Sequence, residues 1–187
     1  LSYAPGTAER KHLVAAYERM YNEVVDIPLY IDGKEIRTQD LRDCRPPHDH
    51  QHVIGHYHYG KAQHAKDAID AALKAHASWS SMPWNERAAI FLRAADMVAG
   101  PYRAIINAAT MLAQSKTAFQ AEIDAACEFA DFLRFNAHFM EKIYAEQPIS
   151  SPGIWNRMEH RALEGFVVAI TPFNFTAIAG NLPASAA

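Results

Sequence analysis

Residues Gly165 to Phe175 constrain the fold more than any other stretch of the chain. Phe166 to Ile170 is a continuous apolar run rich in β-branched residues, which is typical of a strand buried on both faces of a parallel sheet. Pro172 has no amide hydrogen to donate to a ladder, so we expect the strand to end there. The apolar segment that follows, Thr176 to Ala187, is predicted to begin a helix. Ligands of open α/β sheets gather at such strand ends, so Asn174 in the turn is a candidate site residue.

Composition limits the class of protein. The 187 residues are 50% hydrophobic and 21% charged, with a net charge of −3, which indicates a globular domain and argues against an electrostatic nucleic-acid footprint. No apolar stretch reaches the roughly 18 residues of a membrane span, and no signal peptide is visible. With Cys44 and Cys127 as the only cysteines, no disulfide scaffold is predicted.

Local patterns predict a helix-rich chain with one small ribbon. Asp32-Gly33 is a strong turn signal between Ile27–Ile31 and Lys34–Arg37, and it predicts an antiparallel hairpin. Apolar residues at helical spacing, with cap and stop signals, predict five helices. They are a helix after Thr7, Lys61–Trp79, Asn85–Ala99, Pro101–Ala113 and Thr117–Glu146.

Residues 48–58 contain five of the ten histidines. Alternation places His50 and His52 on one face, and His56 and His58 on one face of the next stretch. Imidazole suits zinc, copper and nickel, so a metal site is one interpretation. We favour the other, a solvated edge strand, because the segment lacks the C-x-x-C or H-x₃₋₅-H spacing of a structural zinc site. No metal ligand is therefore assigned.

The long helix Thr117–Glu146 carries two apolar stripes, which predicts a helix buried between layers. Glu128 falls on the stripe of Phe132, Phe135 and Phe139. A carboxylate on an apolar face needs a partner, because burying it alone costs several kcal/mol. The spacing by itself favours a structural ion pair.

Two segments resemble a known family. Glu164-Gly-Phe-Val-Val-Ala-Ile-Thr-Pro-Phe-Asn-Phe-Thr-Ala-Ile-Ala-Gly-Asn-Leu182 resembles the aldehyde dehydrogenase superfamily, whose common form here is Pro-Trp-Asn-Phe-Pro. The Pro-Phe-Asn-Phe-Thr-Ala-Ile version is similar to the Δ1-pyrroline-5-carboxylate dehydrogenase branch. Met111-Leu-Ala-Gln-Ser-Lys-Thr-Ala-Phe-Gln-Ala-Glu-Ile-Asp-Ala-Ala-Cys-Glu128 and Phe132-Leu-Arg-Phe-Asn136 resemble the same branch. The resemblance is strong from about Pro83 onward.

The resemblance implies roles for individual residues. Asn174 matches the asparagine that stabilises the oxyanion in this family, and Ile170, Thr171, Pro172 and Phe173 match the turn along bound NAD. Glu128 matches a glutamate at the substrate mouth, which changes its interpretation from ion pair to substrate contact, and Phe175 is a candidate wall of the aldehyde pocket. Without the resemblance, Asn174 would be interpreted as a helix cap and Phe175 equally as core.

The resemblance also predicts the organisation of an α/β protein that is the N-terminal part of the family fold. Residues 1–146 are expected to hold the helices and β-ribbon of the NAD-binding domain, residues 147–163 an extended segment that pairs with another subunit, and residues 164–187 the first strand-turn-helix unit of a Rossmann-like sheet. We expect the nucleophilic cysteine and general base to lie beyond Ala187, since neither Cys44 nor Cys127 has the family context. The segment alone is predicted to be inactive.

The implied activity is NAD-dependent oxidation of L-glutamate γ-semialdehyde, a small-molecule aldehyde, by a homo-oligomer without a membrane span. A cytoplasmic location is expected, or the mitochondrial matrix in a eukaryote. Three alternatives stay open on the sequence: another semialdehyde dehydrogenase, a non-catalytic module of the same fold, and a histidine-rich metal-binding domain.

Overall fold

Helices and a small mixed sheet make up the chain, of which the computed structural model describes residues 1–177, 182, 184 and 185. The helices are α1 (Ala8–Asn22), α2 (Ala62–Ser81), α3 (Trp84–Ala99), α4 (Arg103–Gln114), α5 (Ala118–Ala121) and α6 (Glu128–Ala145), with a π-helical turn at Glu122–Cys127 between the last two. The strands are β1 (Val25–Ile27), β2 (Leu29–Ile31), β3 (Lys34–Ile36), β4 (Leu41–Cys44) and β5 (Gly55–His58). No helix in these residues is long and apolar enough to cross a bilayer.

The strands form two separate sheets. β2 and β3 are the predicted antiparallel hairpin, with Leu29 opposite Ile36. Asp32 and Gly33 both have positive φ, 52° and 71°, which is the geometry that Asp-Gly favours in two-residue turns. In the other sheet β5 lies in the middle, parallel to β1 and antiparallel to β4. The expectation of an edge strand in the histidine-rich stretch is therefore wrong for β5.

Small residues bring the helices together. α1 packs along α4, and α3 along α6. The core between α1 and α4 contains Tyr3, Leu13, Ala16 and Ala108, with Met20 and other partly buried side chains around it. Alanines that are almost fully buried line the region where α4 and the π turn meet, and their lack of side-chain bulk allows close contact between helices.

The π turn changes which face of the last helix is buried. Ala121, just before it, and Ala125 and Ala126, inside it, are fully buried; after it, the buried face passes through Ala130, Leu133 and Ala137. A π turn inserts one extra residue into the helical repeat, so the two stripes predicted for a uniform helix do not run its full length. The predicted burial of the second stripe is wrong beyond the turn, because Phe135 and Phe139 are half exposed and stack on each other.

Phe166–Ile170 is not a buried strand. The segment pairs with no strand in the described part of the chain, and Val168 is 68% exposed. A parallel strand needs a hydrogen-bonded neighbour on its flank, and the described chain provides none beside it. The helix predicted from Thr176 to Ala187 lies largely outside the described residues.

A buried carboxylate joins the N-terminal segment to α4 and the π turn. Glu122 is 3% exposed and accepts hydrogen bonds from the Tyr3 hydroxyl (2.7 Å), the Arg103 guanidinium and the Asn107 amide (2.8 Å). Three side-chain donors from two parts of the chain, the N-terminal segment and α4, thus converge on one carboxylate.

The same contacts set the protonation of the group. Burial by itself would raise the pKa of Glu122, but hydrogen bonds, chiefly from Arg103 with Tyr3 and Asn107, outweigh it and lower the pKa to about 2. Burial and the neighbouring carboxylate raise the pKa of Tyr3 to about 12. Glu122 is therefore ionised and Tyr3 neutral throughout the physiological range.

Acid should weaken this junction in a defined window. The folded pKa of Glu122, about 2, lies below the roughly 4.3 of a free glutamate. Its contribution to the free energy of unfolding, about 3 kcal/mol by linkage, is thus present above the unfolded pKa and is lost as the pH falls from about 4 toward 2. Thermal unfolding measured from pH 7 to pH 3 should show a smaller decline for Glu122→Gln than for the native protein.

At pH 7 the same variant should be destabilised by roughly 3 kcal/mol, because it leaves Arg103 without its anion. Glu18→Gln is the matched control: Glu18 is exposed on α1, and its substitution should change stability by less than about 0.5 kcal/mol. Equal pH profiles for the native protein and Glu122→Gln would show that this carboxylate does not determine acid stability.

The hairpin turn supplies a second, local prediction. A Cβ added at Gly33 meets no atom within 4 Å, yet its φ is +71°, so Gly33→Ala should cost about 1–2 kcal/mol through backbone strain alone. Gly60→Ala is the control, since its Cβ would make ordinary contact with Leu29 at 3.8 Å. Chemical denaturation should separate the two variants, and equal midpoints would contradict the strain argument.

Candidate active site and family membership

The turn that carries Asn174 lies against the C-terminal end of α4. Lys116 donates from Nζ to the main-chain oxygen of Asn174 at 2.6 Å, and the same ammonium lies 4.2 Å from the centre of the Phe175 ring. The hydroxyl of Thr176 is 2.6 Å from that of Thr110 in α4. Three consecutive residues, 174 to 176, are thus held by side chains from one end of one helix.

Local sequence places Lys116 between two helix ends. Ser115 adopts the left-handed conformation (φ 54°) and ends α4, as residues that follow a helix commonly do. Thr117 begins α5 with a capping box: its hydroxyl accepts from the Gln120 amide, and the Gln120 side chain accepts from the Thr117 amide at 2.9 Å. The capping box therefore fixes the backbone that follows Lys116 by short-range hydrogen bonds, and the left-handed Ser115 ends the helix before it.

Two further α4 side chains complete the contact. Thr110 is fully buried and donates its hydroxyl hydrogen to the carbonyl of Ile106 at 2.7 Å, so it accepts from Thr176. The Gln114 amide is assigned the orientation that satisfies its neighbours, in which its nitrogen donates to the Asn174 carbonyl at 3.1 Å and its oxygen accepts from the Thr176 amide at 3.1 Å. The Asn174 carbonyl therefore has two donors, Lys116 and Gln114.

The side chain of Asn174, by contrast, is exposed and makes no hydrogen bond with any described residue. Its carboxamide does not cap a helix through Thr176 in this structure. Ahead of it, Ile170, Thr171 and Pro172 have no regular secondary structure and Phe173 begins the turn; all four are open to solvent, with Phe173 94% exposed. The Asn174 carbonyl is therefore held by Lys116, whereas the Asn174 side-chain amide and residues 170–173 are exposed.

Glu128, which was predicted to lie at the substrate mouth, and the nearby Asp124 have different environments. Glu128, the first residue of α6, is half-buried and forms no ion pair or hydrogen bond within the described part of the chain. Asp124, inside the π turn, pairs with Lys116 at 2.6 Å. The structural ion pair considered for Glu128 is therefore formed by its neighbour instead.

Neither cysteine is activated as a nucleophile. Burial, followed by the negative charge of Glu122, raises the pKa of the Cys127 thiol, and burial followed by Asp43 raises that of Cys44. A thiolate requires the opposite, an electropositive and accessible setting. Cys127 accepts a hydrogen bond from Arg103 at 3.3 Å, but the guanidinium is already paired with Glu122.

The histidines of residues 48–58 have separate partners. His58 is buried in β5, with Nδ1 2.7 Å from the Thr38 amide and Nε2 2.9 Å from Asp26. His48 contacts Ser115, and His52 contacts the Tyr21 carbonyl. Among the described residues no group of three or more His, Cys, Asp or Glu side chains is arranged to hold a metal.

Sequence reasoning missed the residues that support the turn. Lys116, Gln114 and Thr110 read as ordinary polar residues at the end of a helix, and Glu122 as one more charge in a helical pattern. The stretch from Gln114 to Thr117 contributed only to the family resemblance. A signal was present: Thr117 and Gln120 form a capping-box pattern that separates Lys116 from both neighbouring helices.

Similarity to known proteins extends over the chain. The model of the aldehyde dehydrogenase family matches residues 34–187. The Δ1-pyrroline-5-carboxylate dehydrogenase of Agaricus bisporus is 51% identical over 189 residues, covering 100% of this chain and 35% of the relative. A probable Δ1-pyrroline-5-carboxylate dehydrogenase of Schizosaccharomyces pombe is 51% identical over 98% of this chain and 34% of its own length.

Solved structures show the same similarity at the level of the fold. The crystal structure of the Mycobacterium tuberculosis Δ-pyrroline-5-carboxylate dehydrogenase superposes with a TM-score of 0.94 at 48% identity, covering 98% of this chain and 34% of that one. The same enzyme has been solved with NAD bound. The chain spans about a third of the length of these relatives. From the family model and the fold together, the chain belongs to the aldehyde dehydrogenase family.

Proposed function

We propose that this chain is the N-terminal part of an NAD-dependent dehydrogenase that oxidises L-glutamate γ-semialdehyde, formed from Δ1-pyrroline-5-carboxylate, to L-glutamate in proline degradation. The observation that carries the proposal is the identity of 51% to a Δ1-pyrroline-5-carboxylate dehydrogenase across the whole chain. The exposed Asn174 amide in a clamped turn supports it, because the reaction needs a rigid donor there.

The chemistry divides between this chain and the rest of the protein. A thiolate attacks the aldehyde carbon and its electron pair forms the new C–S bond, while the carbonyl oxygen becomes an oxyanion. We assign Asn174 as the donor to that oxyanion. A fixed donor of this kind stabilises the developing charge without reorganisation during the reaction. The nucleophile and the base that activates water are assigned to the part of the protein beyond residue 187.

The exposed segment Ile170–Phe173 fits a cofactor. Its residues are free of the rest of the described chain, so the Thr171 hydroxyl and the main-chain groups are available to a ligand. We assign Ile170, Thr171, Pro172 and Phe173 as one side of the NAD site, with Thr171 as the first polar contact. When bound, NAD supplies the hydride acceptor, and these residues orient it and exclude water.

Glu128 and Phe175 are assigned to substrate binding. The half-buried Glu128 carboxylate lacks a cationic partner in the described part of the chain, and the substrate carries an α-ammonium group that would provide one. Phe175 is half-buried with Lys116 above its ring, which fixes the ring as a wall beside Asn174.

Assembly is proposed to use residues 147–163. This segment has no regular secondary structure, and Ile149 and Trp155 are 91% and 79% exposed. Large apolar side chains in an open segment favour covering by another surface, which supports pairing with a second copy of the chain. We propose a cytoplasmic location, or the mitochondrial matrix for a eukaryotic source, as the names of mammalian relatives suggest.

The activity is tested on the full-length protein. NADH formation should be observed with NAD and Δ1-pyrroline-5-carboxylate. The kcat/KM for other semialdehydes should be at least about tenfold lower. Residues 1–187 alone should form no NADH. Equal or better rates with another semialdehyde would replace the proposed substrate, and turnover by residues 1–187 alone would contradict the assignment of the nucleophile to the missing part.

Asn174→Ala should lower kcat of the full-length protein by about 10²–10³, the usual effect of losing one oxyanion donor. KM for NAD should change little, since the substitution leaves the Ile170–Phe173 backbone in place. The matched control is Asn85→Ala, which removes an exposed amide from the first turn of α3 and should leave kcat within about twofold. An unchanged kcat for Asn174→Ala would reject its catalytic role.

Glu128→Gln should act on substrate binding rather than on chemistry. Removing the charge should raise KM for the aldehyde by roughly tenfold, with a smaller effect on kcat. Glu146→Gln, an exposed carboxylate just past α6, is the control and should leave both parameters unchanged. Steady-state kinetics measure the difference, and an unaltered KM for Glu128→Gln would remove Glu128 from the substrate site.

A further inference from the structure

We propose that Lys116 is a positioning residue for Asn174, so that the oxyanion donor of this protein depends on an ammonium group that never touches substrate. The inference rests on the role of Asn174 given above. It adds a residue outside the turn whose loss should slow the chemical step through Asn174, whereas its contact with the Phe175 ring would act on aldehyde binding.

The first argument is the number of contacts that Lys116 makes. Its ammonium donates to the Asn174 carbonyl and to the Asp124 carboxylate, each at 2.6 Å, and lies 4.2 Å from the centre of the Phe175 ring. An ammonium has three N–H groups, and these three neighbours surround it. The side chain is 15% exposed, so its position is fixed, unlike that of a solvated lysine.

Another lysine shows the difference. Lys74 also pairs with an aspartate, Asp32, at 3.1 Å, but its side chain is 74% exposed and makes no other polar contact in the described chain. Surface pairs of this kind contribute little. Lys116 instead joins a main-chain carbonyl to a carboxylate in a helix, and charge-assisted hydrogen bonds of that geometry are stronger than neutral ones.

The second argument is what the bond fixes. Asn174 has an exposed side chain without a partner in the described residues, so only its backbone can orient the amide. Lys116 and Gln114 both donate to that backbone carbonyl, and Thr110 fixes Thr176 two residues later. The reaction tolerates only displacements well below 1 Å. Loss of the bond to the Asn174 carbonyl would therefore move the side-chain amide away from the position of the oxyanion.

Asp124 is the residue that positions Lys116. It lies in the π turn, and its carboxylate holds the ammonium over the Asn174 carbonyl. The π turn thus connects the helical core to the turn that carries the donor. Asp124→Asn should therefore weaken the same function as Lys116 substitutions, to a smaller extent.

The test compares full-length variants in steady-state kinetics. Lys116→Met should lower kcat by about tenfold with KM for NAD within about twofold. Lys116→Arg, which retains a donor cation, should recover most of kcat. Lys74→Met is the matched control and should be unchanged. The double variant Lys116→Met with Asn174→Ala should be no slower than Asn174→Ala alone, because both changes remove one function.

Multiplicative losses in the double variant, or no rescue by arginine, would overturn the proposal, since a general structural defect produces both. A readout independent of activity separates this inference from the function itself. Hydrogen exchange of the peptide covering residues 166–177 should be faster in Lys116→Met than in Lys74→Met or the native protein. Faster exchange in a protein that does not oxidise the semialdehyde would reject the function and retain the positioning role. Unchanged exchange would reject the positioning role in either case.

Discussion

The charge on Glu122 is the interaction on which the helical part of this chain depends. A buried carboxylate without partners is costly, and it is tolerated only when its lone pairs are occupied. Here the donors come from the N-terminal segment and from two successive turns of α4, through Tyr3, Arg103 and Asn107. Satisfying one group therefore fixes the relative positions of three elements.

The position of Glu122 also explains the coupling between core and site. It begins a π turn, and Asp124, two residues later, is directed toward Lys116 instead of toward the core. The first carboxylate holds the turn to α4, and the second holds the lysine that contacts the Asn174 carbonyl. π turns are often found at functional sites, and in this protein Glu122 and Asp124, two residues apart in the turn, pair with Arg103 and Lys116.

Local signals predicted the helices before residue 147 and the hairpin well, but the strand they predicted at Phe166–Ile170 is not formed. The helices were placed within a few residues because caps, stop signals and apolar spacing act over one or two turns, and the Asp32-Gly33 hairpin follows from the φ values those residues tolerate. The sheet order β1-β5-β4 was not predicted, because pairing between strands far apart in sequence leaves no local signal. The π turn was missed for a related reason: a constant 100° per residue was assumed across Thr117–Glu146, and one inserted residue moves the buried face.

By itself, the sequence determined the family, the helical character and the hairpin, since each depends on residues that are adjacent or in a short motif, and the same motif makes Asn174 a candidate site residue. Tertiary structure decided which carboxylate is buried, which one pairs with Lys116, and that the Asn174 carbonyl is held while its side chain stays free. Those choices depend on contacts that leave no local sequence pattern, from Lys116 with Asp124, 8 positions apart, to Tyr3 with Glu122, 119 positions apart, where only the packing of the helices determines the distance.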